Sequence, residues 1–222
     1  MSGTARHGPV TPSTKAPDVN ETIIEQMRQL VAPESEPIAA ARGRASALAP
    51  PPPEIGALLR WAAISCDARQ VVEVGSCGGV SGLWLLSGLA ERGVLTSIDP
   101  DPHAHALADE AFAQVAAGSR VRSILGEPAT VLPRLSDGVY DLALLQARPA
   151  GNDADLDHVR RLLRIGGMLV VRGVLRPGEH GDAHARLLAA LVEDEHFVTT
   201  VLPVDDGLVL ATRTSPDGAV PA

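Results

Sequence analysis

The chain has 222 residues, of which 45% are hydrophobic and only 2% aromatic, and its 19 basic and 27 acidic side chains give a formal net charge of −8. A chain of this length can bury a full core, so we expect one folded domain with a tail. The excess of acid disfavours a nucleic acid as partner, because phosphate contacts need clustered Lys and Arg, and a small molecule is the expected partner instead.

The sequence favours a cytoplasmic protein. Its two cysteines, Cys66 and Cys77, offer no disulfide framework, and no N-terminal run combines basic residues with the apolar core of a secretory signal. The longest nearly apolar stretch, residues 83–90, is far shorter than the roughly 20 residues that span a bilayer. No membrane partner is therefore expected.

The N-terminal part predicts a tail followed by a helical cap over residues 20–69. Residues 1–19 are rich in Pro, Ser, Thr and Gly without a hydrophobic period, which indicates a disordered tail. Asn20 suits the N-cap of a helix with apolar residues at i, i+4, i+7 and i+8, namely Ile23, Met27, Leu30 and Val31. This face favours packing on the core and could instead form a homodimer interface. Four prolines at 50–53 must end any preceding helix, and the next helix has one apolar face, formed by Ile55, Leu58, Leu59, Ala62 and Ala63.

From residue 70 onward, strands and helices alternate. Apolar runs predict strands of a sheet covered on both faces at residues 71–74, 94–98, 121–125, 141–145 and 168–171. Helical period marks the segments between them, as in Ala108, Ala111, Phe112 and Val115, and in Leu156, Val159 and Leu163. The pattern predicts an open, parallel α/β sheet. Residues 197–202 and 208–212 flank an Asp-Asp-Gly turn and predict a closing antiparallel hairpin, so the main domain covers residues 70–213 and residues 214–222 form a flexible C-terminus.

A glycine-rich turn follows the first predicted strand, and the second strand ends in an acid. Gly75 and Gly79 can adopt positive φ and let backbone pass close to a ligand, while the helix that begins near Ser81 offers unpaired N–H groups. Asp99 follows one strand–helix–strand unit later and would accept hydrogen bonds from two ribose hydroxyls. This arrangement indicates a cofactor that contains adenosine, although a short glycine turn can also be purely structural.

Glu73 favours S-adenosylmethionine over a dinucleotide. The pattern is E-x-G-x-C-x-G, whereas a dinucleotide fold places its glycines as G-x-G-x-x-G to admit a pyrophosphate. An acid at Glu73 would repel a pyrophosphate but suits a ligand that carries an ammonium and a sulfonium group.

These residues resemble a known family. Residues 73–81, GLWLLSGL at 82–89 and GVLTSID at 93–99 are similar to bacterial, actinobacterial-type O-methyltransferases of the catechol and caffeoyl-CoA O-methyltransferase family. The resemblance covers about residues 20 to 213. It implies the Rossmann-like fold of class I S-adenosylmethionine-dependent methyltransferases, with a mostly parallel seven-stranded sheet and a C-terminal antiparallel hairpin, and often a homodimer.

The resemblance also implies the cofactor contacts. Glu73 would meet the methionine part or the backbone near it, and Asp99 the ribose. The turn after the third strand would cover the adenine, with Pro128 in the place of a small residue and therefore without an N–H donor. Cys77 stands where relatives have a glycine. The expected cofactor-binding residues are Glu73, Gly75, Ser76, Gly79, Ser81, Asp99, Gly126, Glu127 and Pro128.

The substrate end departs from the family pattern. Relatives that use a divalent metal place an acid after the fourth strand and an Asp-Asn pair after the fifth, which supply oxygen ligands. Gln146, Arg148 and Arg172 stand in that region, and the two arginines would bring positive charge to where a cation should sit. We therefore expect no Mg²⁺ or Ca²⁺ site and assign these three as substrate residues. The arginines would replace the cation by favouring a phenolate or by clamping an anionic group, or they face solvent at strand ends.

The sequence thus predicts an S-adenosylmethionine-dependent O-methyltransferase that acts on a small phenolic or catechol-like hydroxyl acceptor without a divalent metal. No catalytic base can be assigned from spacing alone. The alternative is a non-catalytic homologue that binds S-adenosylmethionine or S-adenosylhomocysteine, and turnover separates the two. A third interpretation, an NAD-dependent oxidoreductase, predicts binding of NADH.

Overall fold

The computed structural model describes residues 33–147, 153–175 and 181–215, together with Ile23, Gln26, Gln29 and Leu30. Its strands are β1 (Gln70–Val74), β2 (Val94–Asp99), β3 (Val121–Leu125), β4 (Tyr140–Gln146), β5 (Leu163–Arg172), β6 (Phe197–Leu202) and β7 (Leu208–Arg213). They form one seven-stranded sheet in the order β3-β2-β1-β4-β5-β7-β6. Strands β1 to β5 are parallel, and β7 lies antiparallel between β5 and β6. The predicted sheet and its C-terminal hairpin are confirmed.

Helices cover both faces of the sheet. They are α1 (Glu36–Arg44), α2 (Pro53–Ser65), α3 (Val80–Gly88), α4 (Pro102–Gln114), α5 (Pro128–Val131), α6 (Asp153–Leu162) and α7 (Gly181–Glu193), with short 3₁₀ turns at Ser46–Leu48, Cys77–Gly79, Gly118–Arg120 and Leu132–Arg134. Helices α1 to α4 bury one hydrophobic cluster against the sheet, and α6 and α7 bury a second cluster on the opposite face. Because side chains alternate along a strand, Val71 enters the first cluster whereas Val72 and Val74 enter the second.

Small residues allow α2 of the cap to approach α3 closely, which suits a chain with few aromatics. A Cβ atom on Gly56 of α2 would lie 2.1 Å from the indole nitrogen of Trp84 on α3. A Cβ atom on Gly88 of α3 would lie 2.5 Å from the carbonyl oxygen of Arg60. Glycine is therefore needed at both positions for α2 to pack on α3.

Two boundaries differ from the sequence prediction. Leu163 was expected on a helix face, but it begins β5 and pairs with Tyr140 across a register shift in the β4–β5 ladder. The flexible C-terminus was expected from residue 214, yet Thr214 is buried and its N–H donates to the carbonyl oxygen of His196 at 2.8 Å. The ordered chain therefore continues past β7, because this hydrogen bond extends the edge of the hairpin.

Ile23 and Leu30, the two described residues of the predicted N-terminal helix face, do not pack on the core as expected. Ile23 and Leu30 are helical, but their exposed fractions are 50% and 83%. Met27 and Val31, the predicted tail over residues 1–19 and residues 216–222 lie outside the described residues. Among the residues that the structure does describe, no helix is both long and apolar enough to cross a bilayer.

Candidate cofactor and acceptor site

The predicted site residues meet at the carboxyl edge of the sheet, where the chain order reverses. From β1 the chain crosses to β2 on one side, while β4 pairs with β1 on the other side. Ligands of open α/β sheets bind in the crevice at such a switch point. Gly75 follows β1 and Gln146 ends β4, and a Cβ atom on Gly75 would lie 2.7 Å from Cγ of Gln146. Gly75 thus lets the side chain of Gln146 pack closely against the loop that follows β1.

The loop between β1 and α3 is held in left-handed conformations. Its φ angles are +91° at Gly75, +46° at Cys77, +64° at Gly78 and +86° at Gly79. A Cβ atom on Gly79 would lie 3.0 Å from Cα of Ala108 on α4, so this glycine is required by space as well as by φ. Cys77 adopts the same region at a cost of about 1–2 kcal/mol, because its Cβ crowds the backbone.

Asp99 ends β2 beside this loop, where the sequence predicted it. Its Oδ2 accepts hydrogen bonds from Ser76 N at 2.8 Å and from Ser76 Oγ at 2.6 Å, and its Oδ1 accepts from Asp101 N at 3.0 Å. The residue is 6% exposed. Since an ionised carboxylate offers about four acceptor positions, Asp99 can hold the loop and still accept from a ligand hydroxyl.

Glu73 lies behind the loop rather than on its open side. It has no exposed surface, and its Oε2 accepts from Ser81 Oγ at 2.8 Å beneath the first turn of α3. Burial raises the pKa of Glu73 to about 7, against the lowering effect of hydrogen bonds from Ser97 and Ser81. Glu73 therefore supports Ser81 and the loop backbone, and a direct contact with the methionine part of a ligand would require the loop to move.

The turn predicted to cover adenine adjoins Asp99. The N–H of Gly126 donates to the carbonyl oxygen of Asp99 at 3.0 Å. Glu127 is the exposed N-cap of α5, and Pro128 is its buried first residue. At that position of a helix an N–H would have no intrahelical partner, so the missing donor of Pro128 costs the fold little.

Arg172, one of the residues predicted for the substrate end, forms a buried ion pair with Asp205. Arg172 donates through Nε and Nη2 to both carboxylate oxygens of Asp205, with Nη2 2.9 Å from Oδ1. Its Nη1 lies 3.0 Å from Oε1 of Gln146 and 3.9 Å from Sγ of Cys77. The side chains of Arg172 and Asp205 are 3% and 11% exposed. The alternative that Arg172 faces solvent is therefore wrong, because the β6–β7 turn covers the end of β5. Arg148 lies outside the described residues.

Sequence analysis missed Asp205 as a site residue. Its signal was the Asp-Asp-Gly turn, which was interpreted only as a hairpin. The turn brings Asp205 to Arg172 because β7 pairs directly with β5 and places Leu208 opposite Arg172.

The position of Cys77 beside Arg172 bears on the reactivity of its thiol. Burial of the sulfur raises the pKa of the Cys77 thiol to about 11, although the charge of Arg172 lowers it. The thiol stays protonated near neutral pH, and a protonated thiol is a poor nucleophile. A packing role fits Cys77 better than a reactive one.

The described residues at the ends of β4 and β5 supply no cluster of metal ligands. Within residues 33–147, 153–175 and 181–215, no group of three or more His, Cys, Asp or Glu side chains could hold a metal ion. Gln146 Oε1 already accepts from the Arg172 guanidinium, and a cation placed there would meet that fixed positive charge. Among the described residues, Gln146 is therefore poorly placed to act as a ligand of a divalent cation.

Comparison with known proteins decides the family. A family described as a methyltransferase domain matches residues 72–172. A protein of Mycobacteroides abscessus, named "Putative O-methyltransferase", is 43% identical over 192 residues, which cover 81% of this chain and 89% of the relative. The chain belongs to this family of O-methyltransferases.

Solved structures agree with the family. A crystal structure of a protein from Corynebacterium glutamicum is 26% identical, with a TM-score of 0.78 over 88% of this chain and 98% of that one. An O-methyltransferase from Bacillus cereus in complex with SAH (S-adenosylhomocysteine) has a TM-score of 0.78 at 18% identity, over 87% of this chain and 97% of that one, and shows likeness of fold. The seven-stranded sheet with its antiparallel hairpin is thus the class I methyltransferase fold that the sequence resemblance implied.

Proposed function

We propose that the chain transfers the methyl group of S-adenosylmethionine to the hydroxyl oxygen of a small phenolic or catechol-like acceptor, and that it does so without a divalent metal. The observation that carries the proposal is the arrangement of side chains at the β1–β4 switch point, where ligands of open α/β sheets bind. The glycine-rich loop and Asp99 lie on one side of it, and Gln146 with its buried partner Arg172 lies on the other.

The cofactor side fits S-adenosylmethionine in polarity. Gly75 and Gly79 hold the loop in left-handed conformations beside the end of β2, where Asp99 can accept from a ribose hydroxyl. Ser76 and Ser81 keep the loop in place, since they bond to Asp99 and Glu73 respectively. The turn of Gly126, Glu127 and Pro128 would adjoin the adenine. The Bacillus cereus neighbour was solved with S-adenosylhomocysteine, which supports this choice of cofactor.

The protein contributes mainly by positioning. S-adenosylmethionine would supply the methyl group: the acceptor oxygen would bond to the methyl carbon in line as the bond from that carbon to the sulfonium sulfur breaks, with S-adenosylhomocysteine as the leaving group. Holding that oxygen in place is worth up to about 7–11 kcal/mol in favourable cases. The half-buried Gln146 ends β4 beside the cofactor loop, so we assign it the contact with the acceptor. Arg172 is too deeply buried to bind an acceptor directly, and its proposed part is to hold Gln146.

Turnover tests this proposal. The purified protein is incubated with S-adenosylmethionine, EDTA and a panel of catechols, simple phenols and hydroxy acids, and the formation of S-adenosylhomocysteine is measured. We expect turnover with at least one phenolic acceptor, at a rate that EDTA does not lower. Binding of S-adenosylhomocysteine without turnover would favour a non-catalytic homologue, and activity that requires Mg²⁺ would contradict the metal-free site.

A further inference from the structure

Oxygen atoms surround the guanidinium of Arg172 much as they would surround a bound cation. Gln146 contributes an amide oxygen from the end of β4, and Asp205 contributes both carboxylate oxygens from the β6–β7 turn. The guanidinium is a cation with five N–H donors and no acceptor. The space between these oxygens is therefore already taken by a positive charge that belongs to the chain itself.

This cluster adjoins the loop that we assign to the cofactor. Gln146 packs against Gly75, and Arg172 reaches the sulfur of Cys77. The loop and Asp99 use the half of the edge at β1 and β2, which leaves the ends of β4 and β5 for the acceptor. The cluster therefore lies where the two ligands of a methyl transfer would meet.

The charge of Arg172 is balanced within the cluster. Asp205 pairs with it through two hydrogen bonds, so the pair as a whole carries no net charge that would attract an anionic acceptor. The sequence-based idea of an arginine clamp for a carboxylate or phosphate is thus less suited to Arg172 than a positioning role. Gln146 is half-buried, whereas Arg172 is buried. Nη1 of Arg172 donates to the amide oxygen of Gln146 and fixes it in place.

We infer that Arg172 is a built-in cation that takes the place of a divalent metal, and that Asp205 is a positioning residue that fixes Arg172 and, through it, Gln146. The effect of this arrangement on methyl transfer rests on the proposed function. The exclusion of a metal by the guanidinium does not, and it can be tested without turnover.

Uptake of Mn²⁺, followed by electron paramagnetic resonance, tests directly whether the guanidinium excludes a metal. The wild-type protein should take up no Mn²⁺ at this place up to millimolar concentration. Arg172→Ala should gain uptake, because the oxygens of Gln146 and Asp205 are released and Mg²⁺-like cations bind through one or two carboxylates with water. The double variant Arg172→Ala with Asp205→Asn should lose it again. Wild-type uptake that Asp205→Asn abolishes, or a folded Arg172→Ala without uptake, would overturn the inference.

The positioning role is tested by a matched pair of variants in one turn. Asp205 and Asp206 have φ of +52° and +56°, a region that Asn tolerates, so Asp→Asn removes a charge at either position without new backbone strain. With the acceptor found in the panel, Asp205→Asn should lower kcat at least about tenfold and leave the Kd for S-adenosylhomocysteine within about twofold. Asp206→Asn, on an exposed side chain, should change neither. Unchanged kcat in Asp205→Asn would remove the positioning role.

A second variant distinguishes loss of the positioning role from a folding defect. Asp205→Asn leaves a buried guanidinium without its counter-charge, whereas the double variant Arg172→Met with Asp205→Asn removes both charges together and is better tolerated. It should show the same loss of kcat with the same affinity for S-adenosylhomocysteine. Wild-type activity in this double variant would contradict the inference while leaving the proposed function intact. Failure of the wild-type protein to bind S-adenosylhomocysteine would contradict the proposed function, and the Mn²⁺ measurement would still decide the inference.

Discussion

Replacement of Glu73 by Gln should remove a large pH dependence of stability. Glu73 is fully buried, and its pKa rises from 4.5 to about 7, mainly because burial disfavours the carboxylate. The unfolded chain ionises this group from about pH 4.5 upward, while the folded chain retains the proton until about pH 7. Folding therefore becomes less favourable as pH rises through this window. At 1.36 kcal/mol per pKa unit the shift corresponds to roughly 3 kcal/mol.

Gln keeps the shape of the protonated carboxyl and cannot ionise. We expect Glu73→Gln to match the wild-type free energy of unfolding near pH 4.5 and to exceed it by up to roughly 3 kcal/mol at pH 8. Urea denaturation of both proteins between these pH values gives the difference, in which the other carboxylates cancel. The exposed Glu91→Gln serves as control and should change little at either pH. A wild-type minus variant difference that stays constant with pH would refute the argument that Glu73 is held near neutral by burial.

Two further predictions concern packing. His184 on α7 is 5% exposed, and neither ring nitrogen has a hydrogen-bond partner among the described residues. His184→Leu should therefore raise the free energy of unfolding, measured by urea denaturation, by about 1 kcal/mol. A lower free energy of unfolding than that of the wild-type protein would contradict the assignment of an unsatisfied ring. A Cβ atom on Gly82 would lie 2.7 Å from the ring of Phe112 and 2.8 Å from Oε1 of Glu73, so Gly82→Ala should destabilise by about 1–3 kcal/mol. Gly43 lies in helix α1 with open space around it, so Gly43→Ala should instead stabilise the fold by roughly 0.5–1 kcal/mol. Equal changes in the free energy of unfolding for the two substitutions would show that close packing at Gly82 is not the cause of its destabilisation.

Much of the fold follows from local pattern. Each predicted strand is present, because runs such as residues 71–74 and 94–98 are apolar and bounded by turn residues. The glycine loop and Asp99 lie at the same edge of the sheet, as predicted, because the carboxyl ends of neighbouring parallel strands must meet. The Asp-Gly signal also located the closing hairpin correctly.

Contacts between distant segments were not accessible from the pattern. Asp205 pairs with Arg172 across 33 positions, and only the observed β5–β7 pairing brings the two together. The burial of Glu73 was available in principle, because alternation along β1 places it on the same face as Val71, but its chemistry suggested a ligand contact. The exposure of Leu30 could not be foreseen, because an apolar helix face does not reveal what it packs against.

The most direct test of the central claim is the affinity for S-adenosylhomocysteine, measured by isothermal titration calorimetry on the wild-type protein and on two matched variants. Asp99→Asn weakens the acceptor of the proposed ribose hydrogen bonds, and Asp101→Asn makes the same change two residues away at the N-cap of α4, where Asn caps as well as Asp. We expect the wild-type protein to bind, with affinity lowered roughly ten- to hundredfold in Asp99→Asn and less than about twofold in Asp101→Asn. Equal affinities in all three proteins, or no binding by the wild-type protein, would contradict this expectation.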